Sequence, residues 1–166
     1  DMGAVARQIV RLADALGLDK FAIGGWSWGG AAAQTLVAEH PERVSHAVMI
    51  GNNPPGPSEH PIREVFLERA FKPVTDLDDE VVLFFEPASE PSRIAAKCSH
   101  ERIHARPDIA SKIPSSKAEI EAFISTFMTF QADKQGRLDA LTRSAVPMLI
   151  IAGDNDPSTD TRNWLP

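Results

Sequence analysis

The stretch that decides the fold is residues 20–30, which read Lys-Phe-Ala-Ile-Gly-Gly-Trp-Ser-Trp-Gly-Gly. Within it, residues 25–29 form Gly-x-Ser-x-Gly, a pattern typical of a nucleophile elbow, the sharp turn that joins a strand to a helix. Residues 20–24 are apolar enough for a short buried strand, and residues 31–39 are rich in good helix formers. The pattern therefore places Ser27 on the turn and predicts a serine nucleophile.

The residue types around Ser27 suit the chemistry of such a turn. A tight turn strains the backbone of its central residue and lifts the hydroxyl away from the sheet, so Gly25 and Gly29 are expected to be needed because they lack side chains. The next backbone N–H, that of Trp28, then lies at the start of the helix, where partial positive charge stabilises an oxyanion. We therefore predict Trp28 as an oxyanion residue through its amide.

Two other interpretations of the same stretch are a chance glycine-rich connection and a phosphate-binding loop of the dinucleotide type. The dinucleotide pattern, Gly-x-Gly-x-x-Gly, does not occur in residues 20–30. The flanking strand and helix favour the nucleophile elbow over both.

The order of these elements resembles the central part of the α/β-hydrolase fold, in the branch that contains esterases, lactonases and cofactor-free haloperoxidases. A helix and a strand precede the Gly-Trp-Ser-Trp-Gly motif, and a helix, residues 40–44 and a strand at 46–51 follow it. The resemblance implies an α/β fold: a parallel sheet with helices on both faces and a helical cap insertion. It also implies chemistry without a cofactor or a metal.

A second stretch, residues 146–157, is similar to the late strand of that family and to the Gly-x-x-Asp turn that holds the acid of the catalytic triad. Counted from Gly153, this spacing assigns the acid to Asp156, with Asp154 as the alternative. Either carboxylate also fits an ordinary turn, because Asp is common at strand ends.

The family places its catalytic histidine after the acid, and no histidine follows Asp156 here. The five histidines all precede it: His40, His46, His60, His100 and His104. His100 and His104 share one face of a predicted helix, but the sequence shows no third metal ligand at a suitable spacing, since Glu101 points off that face. We therefore expect a solvated helix surface there and no metal site.

The family's first strands and its oxyanion loop have no counterpart before residue 1. We therefore expect the 166 residues to be a fragment, truncated at both ends. A further chain segment, or a partner such as a second copy of the chain, would then complete the sheet and supply the histidine.

Turn signals divide the chain into a sheet core, residues 1–60 and 145–166, and a helical insertion, residues 61–144. In the core, a helix at 2–16 is expected to face the sheet through an apolar stripe of Val5, Ile9, Leu12 and Leu16. Residues 52–58 contain three prolines and predict an exit from the core.

The insertion is predicted to be helical at 62–70, 77–85 and 91–103, with a fourth helix that starts at a capping box of Ser116 and Glu119. That fourth helix aligns the apolar residues Ile120, Phe123, Ile124, Phe127 and Met128. In the family, an insertion at this place is the cap over the serine. We expect Phe84 and Phe127 of this cap to touch a ligand, although phenylalanines at helical spacing mostly pack within a core.

Trp26 and Trp28 flank the nucleophile and are expected to shape a small acyl pocket. Packing beneath the cap is an equally good interpretation of both indoles. Trp26 therefore joins Phe84 and Phe127 as a predicted substrate-binding residue.

The composition is that of an ordinary soluble domain, with 43% apolar and 24% charged residues. The net charge of −6 argues against nucleic acid or an anionic membrane as a partner. The single cysteine, Cys98, cannot form an internal disulfide, so nothing requires an oxidising compartment and a cytoplasmic location is expected.

These observations predict a serine hydrolase that acts on carboxylic esters or related small acyl substrates through Ser27, Asp156 and a histidine from outside this chain. Perhydrolysis, lactone opening and C–C bond hydrolysis use the same residues. The alternative from a different class is a catalytically inactive fragment or binding module, which keeps the elbow and lacks the charge relay.

Overall fold

The computed structural model describes residues 1–72, 74–109, 112 and 116–164. Its elements follow one another as α1 (Met2–Ala15), β1 (Phe21–Trp26), α2 (Trp28–Glu39), β2 (Val44–Ile50), α3 (Glu64–Ala70), α4 (Leu77–Phe84), α5 (Glu90–His104), α6 (Lys117–Gln131), α7 (Arg137–Thr142) and β3 (Met148–Ile151). Short 3₁₀ turns lie at Pro41–Arg43 and Thr161–Trp164. None of the helices in these ranges is long and apolar enough to cross a bilayer.

The strands form one parallel sheet in the order β1-β2-β3. Near its carboxyl end, Trp26 pairs with Ile50, and Ile50 pairs with Ile151. The three predicted strands are confirmed, with ends that differ by one or two residues. Because all three run in the same direction, the residues that follow them meet at one end of the sheet, where α/β folds carry their sites.

The apolar core lies on one face of this sheet, against α1, α2 and α7. The residues of α2 from Gly30 to Val37 are all buried, since a helix rich in alanine and glycine can approach the strands closely. The fully buried members of the core are Ala6, Leu36, Val37, Val44, Ala47, Met49 and Leu141.

The opposite sheet face carries exposed apolar side chains. Successive side chains of a strand point to opposite faces, and one alternate set includes Trp26, Leu149 and Ile151, which are 61%, 55% and 44% exposed. Among the described residues, α1, α2 and α7 therefore pack on one face of the sheet, and apolar side chains of the other face are exposed.

The face that α1 buries also differs from the predicted stripe. Met2, Ala6 and Ala13 are buried, whereas Leu12 and Leu16 are 61% and 64% exposed. Met2 packs with alanines of α2. The small alanines allow the two helices to approach closely, and this contact outweighs burial of the larger leucines.

Residues 52–56 have no regular structure but are buried, so the predicted exit from the core is wrong. The carbonyl of Asn53 accepts a bond from Gln34 Nε2 at 3.0 Å, and the carbonyl of Asn52 accepts one from Trp164 Nε1 at 2.9 Å. These side chains replace water as partners of the backbone, which lets an irregular segment stay inside the protein.

The chain forms two compact units, which are described separately. The first unit contains residues 1–61 and 126–154 and the residues from 159 onward; the second contains residues 62–125 and 155–158. The predicted insertion began at residue 61, one residue before the second unit, but the structure groups residues 126–144 with the sheet. That the second unit is a cap over the serine stays a prediction.

Within the second unit, the buried carboxylate of Asp79 joins α3 to α4. Its Oδ1 accepts bonds from Lys72 Nζ at 2.6 Å and from Arg69 Nη1 at 2.8 Å, and its backbone N–H donates to Asp76 in a capping box. The hydrogen bond from Lys72, more than any other contact, holds the pKa of Asp79 below its ordinary value.

The helix α6 begins at the predicted capping box, where the Glu119 carboxylate accepts bonds from the backbone N–H and the hydroxyl of Ser116 at 3.0 and 2.8 Å. Its apolar face is turned relative to the prediction, because Phe130 is buried while Met128 is 60% exposed. The prediction of Met128 as an inward residue is therefore wrong. Packing of Phe130 on Met2 and the alanines of α2 sets this rotation.

Candidate active site

Ser27 lies on the turn from β1 to α2, at the carboxyl end of the sheet. Its backbone has φ 50° and ψ −115°. Only Ser27 and Asp133 combine a side chain with a positive φ in the described part of the chain. A side-chain-bearing residue adopts such a conformation only when its surroundings enforce it. The predicted strained turn at Ser27 is thus confirmed.

Backbone hydrogen bonds hold the turn on both sides of Ser27. Its N–H donates to the carbonyl of Ile50 at 2.8 Å, and its own carbonyl accepts from Gly30 at 2.9 Å. The first bond ties the turn to the end of β2, and the second ties it to the first turn of α2. The conformation of Ser27 is therefore fixed by elements that are themselves part of the core.

The hydroxyl of Ser27 is not used to cap the helix. Ser27 is the N-cap residue of α2, and its side chain forms no capping hydrogen bond. Serine at this position usually accepts a bond from the second or third helical N–H, which stabilises the helix end. The helix thus forgoes this stabilisation, and the Oγ atom is left at the end of the sheet.

The glycines of the motif meet different steric constraints. A Cβ atom on Gly25 would lie 2.1 Å from the carbonyl oxygen of Gly29, so no side chain fits there. A Cβ atom on Gly29 would meet nothing within 4 Å, so the predicted steric need for glycine at this position is wrong. The second crowded position is Gly30, where a Cβ atom would lie 2.2 Å from Nδ2 of Asn52.

Asn52 is a buried polar residue next to the elbow that sequence reasoning missed. It follows β2 and is 8% exposed, and neither polar atom of its side chain has a hydrogen-bond partner among the described residues. The same is true of Oε1 of Gln34. The Asn-Asn pair after the strand was the available signal, but the prolines that follow it indicated a surface loop.

Trp28 opens α2, so its N–H belongs to the first helical turn, where the positive end of the helix dipole lies. The indole of Trp28 packs against Phe127 of α6, with ring centroids 6.0 Å apart and planes tilted by 37°. The structure therefore brings together two residues that were predicted separately. Their roles, in the oxyanion hole and in substrate binding, stay predictions.

Trp26 and Phe84 are both exposed, at 61% and 53%. Trp26 ends β1 directly before Ser27, and Phe84 ends α4 in the second unit. Exposed aromatic rings are what a ligand-binding surface offers. The contact of either ring with a substrate stays a prediction.

Asp156 follows β3 and accepts two bonds from Ser158, one from the backbone N–H at 2.8 Å and one from the hydroxyl at 2.6 Å. Asp154, the alternative acid, is exposed. Asp156 is partly buried and its carboxylate is held in a defined orientation, as a triad acid needs. Its pairing with a histidine and Ser27 stays a prediction.

The histidines occupy different parts of the structure. His46 is exposed on β2, and His60 exchanges backbone bonds with the side chain of Asn163. His100 and His104 both approach Glu80 of α4, at 3.0 and 3.5 Å. The expectation that this pair lacks a third ligand is therefore wrong, because Glu80 offers one. His104 is exposed, as expected of a solvated helix surface.

A cavity of about 290 Å³ lies at the amino end of the sheet, lined by Lys20, Val44 and Val146 among others. Parallel sheets bind ligands at the carboxyl end of their strands. The cavity is at the end of the sheet away from Ser27, and we assign it no role in the chemistry.

Comparisons with known proteins agree with this fold. A family model described as alpha/beta hydrolase fold matches residues 1–165. The chain is similar to 2-hydroxy-6-oxo-6-phenylhexa-2,4-dienoate hydrolase from Rhodococcus sp. strain RHA1, with a TM-score of 0.61, 22% identity, and coverage of 99% of this chain and 57% of that one. It is also similar to a meta-cleavage product hydrolase from Pseudomonas fluorescens IP01, with a TM-score of 0.69, 18% identity, and coverage of 99% and 58%.

An N-acyl homoserine lactonase is a further similar structure, with a TM-score of 0.60, 17% identity, and coverage of 98% of this chain and 55% of that one. The chain thus spans well under two thirds of the length of these solved structures. At such identities the likeness concerns the fold.

Proposed function

The chain belongs to the family of proteins with the alpha/beta hydrolase fold, and on this premise we propose that the whole protein hydrolyses carboxylic esters or related acyl substrates with Ser27 as its nucleophile. One observation carries the proposal. Ser27 keeps a backbone conformation of φ 50° and ψ −115° and makes no capping bond to α2. Such a conformation costs about 1–3 kcal/mol, and the helix gains nothing from the hydroxyl in return.

In the proposed reaction, Oγ of Ser27 attacks the carbonyl carbon of the substrate and its proton passes to a histidine. The backbone N–H of Trp28 stabilises the oxyanion that forms, because it belongs to the positive first turn of α2. The alcohol leaves as the histidine returns the proton. Water then attacks the acyl-enzyme by the same route and releases the acid.

Asp156 is the proposed acid that orients this histidine. Its two bonds from Ser158 fix one carboxylate oxygen, Oδ1, and ordered carboxylates hold the imidazole in the productive tautomer. We place the histidine itself outside these 166 residues. The length of the similar structures supports this assignment, since the chain covers 57% of the first of them.

The substrate class is proposed as small and partly apolar. Trp28 and Phe127 form an aromatic pair beside the elbow, and Trp26 leaves most of its indole exposed before the nucleophile. Aromatic walls with few polar groups favour acyl chains or rings over charged substrates. The similar structures include a dienoate hydrolase and a lactonase, so dienoates and lactones are further substrates to test.

Steady-state hydrolysis of p-nitrophenyl esters by the whole protein tests the proposal. Ser27→Ala is expected to lower kcat by about 10⁴-fold or more, because it removes the covalent centre. Ser45→Ala, at a partly buried serine of β2, is the matched control and should leave kcat unchanged. Asp156→Asn should cost about 10⁴-fold, whereas Asp154→Asn should cost little.

Full activity of the Ser27→Ala variant would refute the assignment of the nucleophile. A larger loss of kcat in Asp154→Asn than in Asp156→Asn would identify Asp154, and not Asp156, as the triad acid. A folded whole protein that cleaves no ester, lactone or dienoate would favour the alternative, an inactive hydrolase fold that serves as a binding module.

A further inference from the structure

A cluster of two histidines and a glutamate joins α4 to α5 in the second unit. Nδ1 of His100 lies 3.0 Å from Oε1 of Glu80, and Nε2 of His104 lies 3.5 Å from the same oxygen. The two imidazole rings have centroids 4.1 Å apart and planes tilted by 42°. The three ligand-type atoms all lie within 4.8 Å of one another.

The helical geometry explains why the two imidazoles converge. Residues at i and i+4 lie on the same face of a helix, so His100 and His104 of α5 point to one neighbour. That neighbour is α4, where Glu80 follows the buried Asp79. Arg69 and Lys72 are both engaged by Asp79, and no lysine or arginine among the described residues pairs with Glu80.

The burial of the cluster leaves one side open. The side chain of Glu80 is 13% exposed, that of His100 27% and that of His104 45%. The carboxylate thus lies at the bottom of the cluster, and the imidazole of His104 lies at its entrance. Among the described residues, the ion-pair partners of this carboxylate are the two imidazoles, which carry no permanent charge, so a cation bound beside it compensates its negative charge.

We propose that Glu80, His100 and His104 bind a zinc ion, with water as the fourth ligand. Zinc binds imidazole nitrogen and carboxylate oxygen at about 2.0–2.2 Å in a tetrahedron, which places ligand atoms about 3.3 Å apart. The distances of 3.0 and 3.5 Å from the shared oxygen fall on either side of this value. The ligand atoms of the two imidazoles lie within 4.8 Å of each other, and rotation of these side chains about their χ angles would have to bring them to the same spacing when the ion binds.

The donor set selects the kind of metal. Two imidazoles and one carboxylate suit zinc and neighbouring transition metals, whereas calcium and magnesium require several oxygen ligands. The three protein ligands come from two helices, so an ion that they hold links α4 to α5 directly. Zinc therefore fastens α4 to α5 and stabilises the second unit by mass action.

Cobalt(II) is the probe for this site, because tetrahedral cobalt absorbs visible light and takes the same ligands as zinc. The tag-free protein, stripped with a chelator, is titrated with cobalt and then with zinc as a competitor. We expect saturation at one equivalent and displacement by zinc. Glu80→Gln, His100→Gln and His104→Gln should each weaken binding at least about tenfold, since each removes one ligand.

Two control variants test other sources of binding. His46→Gln removes an exposed histidine of β2, and Cys98→Ser removes the thiol on α5; neither should change the titration. Zinc should raise the Tm of the wild-type protein and of both controls, and should leave the Tm of the three ligand variants unchanged.

A wild-type protein that shows no saturable binding at one equivalent would overturn the proposal. So would unchanged affinity in His104→Gln, or loss of binding in Cys98→Ser or His46→Gln. Where a ligand variant fails to fold, X-ray absorption at the zinc edge of the wild-type protein decides. Imidazole and oxygen neighbours without sulfur support the site, and sulfur neighbours contradict it.

Discussion

Gly25 and Gly29 flank Ser27 symmetrically in the motif but carry different constraints. Gly25 faces the backbone of Gly29 so closely that a methyl group would overlap it, at 2.1 Å. Gly29 faces open space. The motif alone cannot separate the two positions, because the difference depends on how the strand and the helix pack on each other.

This contrast gives a matched pair of variants. Gly25→Ala should lower the free energy of unfolding by about 1–3 kcal/mol, because the turn must shift to admit the new atom. Gly29→Ala should leave the free energy of unfolding unchanged or raise it by up to about 1 kcal/mol, because alanine is the better helix former. Urea denaturation of the two variants measures the difference, and equal destabilisation of both would contradict the geometry of the elbow.

At the residue scale, some features of the site were predictable from the sequence and others were not. The strained backbone of Ser27 follows from local chemistry, a strand and a helix joined by one tight turn, and it was predictable. The buried contact between Gly30 and Asn52 joins α2 to the segment after β2, and the approach of Glu80 to His100 joins α4 to α5. A contact between two elements that are separate in the sequence produces no regular residue spacing, so a sequence pattern does not reveal it.

At the scale of elements, the joint between α3 and α4 depends on the charge of Asp79. Its folded-state pKa is held below the ordinary value by Lys72 and Arg69, so the charged form favours folding. A depressed pKa contributes stability that is present above the unfolded-state pKa and is lost as the pH falls towards the folded-state pKa. The joint is therefore expected to weaken in acid.

Asp79→Asn should flatten the loss of stability as the pH falls from about 5 through the ordinary aspartate pKa of about 3.9 towards the lower folded-state pKa. Asp78→Asn is the matched control, because Asp78 lies in the same helical turn and is exposed; its pH profile should follow the wild type. Urea denaturation at a series of pH values measures both. Parallel profiles for the wild type and Asp79→Asn would show that the joint does not depend on this charge.

The aromatic contact between α2 and α6 gives a second test at this scale. Phe127→Ala should lower the free energy of unfolding by about 1–3 kcal/mol, because it removes a partly buried ring that packs on Trp28. Met128→Ala, at the adjacent exposed position, should change it by less than about 0.5 kcal/mol. A reversed order would place Met128 inward, as the apolar periodicity of α6 had suggested.

The helices show why apolar periodicity alone misplaced two faces. In α1 and α6 several stripes contain apolar residues, and packing on α2 decides which stripe is buried. The alanines of α2 favour close contact with Met2 and Phe130, and this leaves Leu12 and Met128 exposed. The position of most helices was predictable, but the short α7 was missed because its six residues give too little periodicity.

At the scale of the whole molecule, the uncovered sheet face is expected to cause self-association of the 166-residue chain. Parallel sheets are normally buried on both faces, and here Leu149 and Ile151 are exposed on one. Sedimentation velocity should show an apparent mass that rises with protein concentration. The double variant Leu149→Thr, Ile151→Thr should reduce this rise, whereas Leu12→Thr, which removes an exposed leucine of α1, should not.

A chain that remains monomeric at all concentrations would show that the exposed sheet face is tolerated in water. Equal effects of the sheet variant and Leu12→Thr would assign the association to general surface hydrophobicity. The three strands were predictable from three apolar runs, and their parallel direction from the resemblance to the α/β-hydrolase fold. The exposure of Leu149 and Ile151 was not, because it depends on how the separate elements pack on the sheet.

The central claim is that Ser27 is an activated nucleophile, and covalent labelling tests it most directly. A fluorophosphonate reacts with a serine hydroxyl only when a base and an oxyanion hole activate it. After treatment of the whole protein and proteolysis, mass spectrometry should find one label per chain, on the peptide that contains Ser27, and none in Ser27→Ala. A label on another serine, or a folded whole protein that takes up no label, would contradict the account.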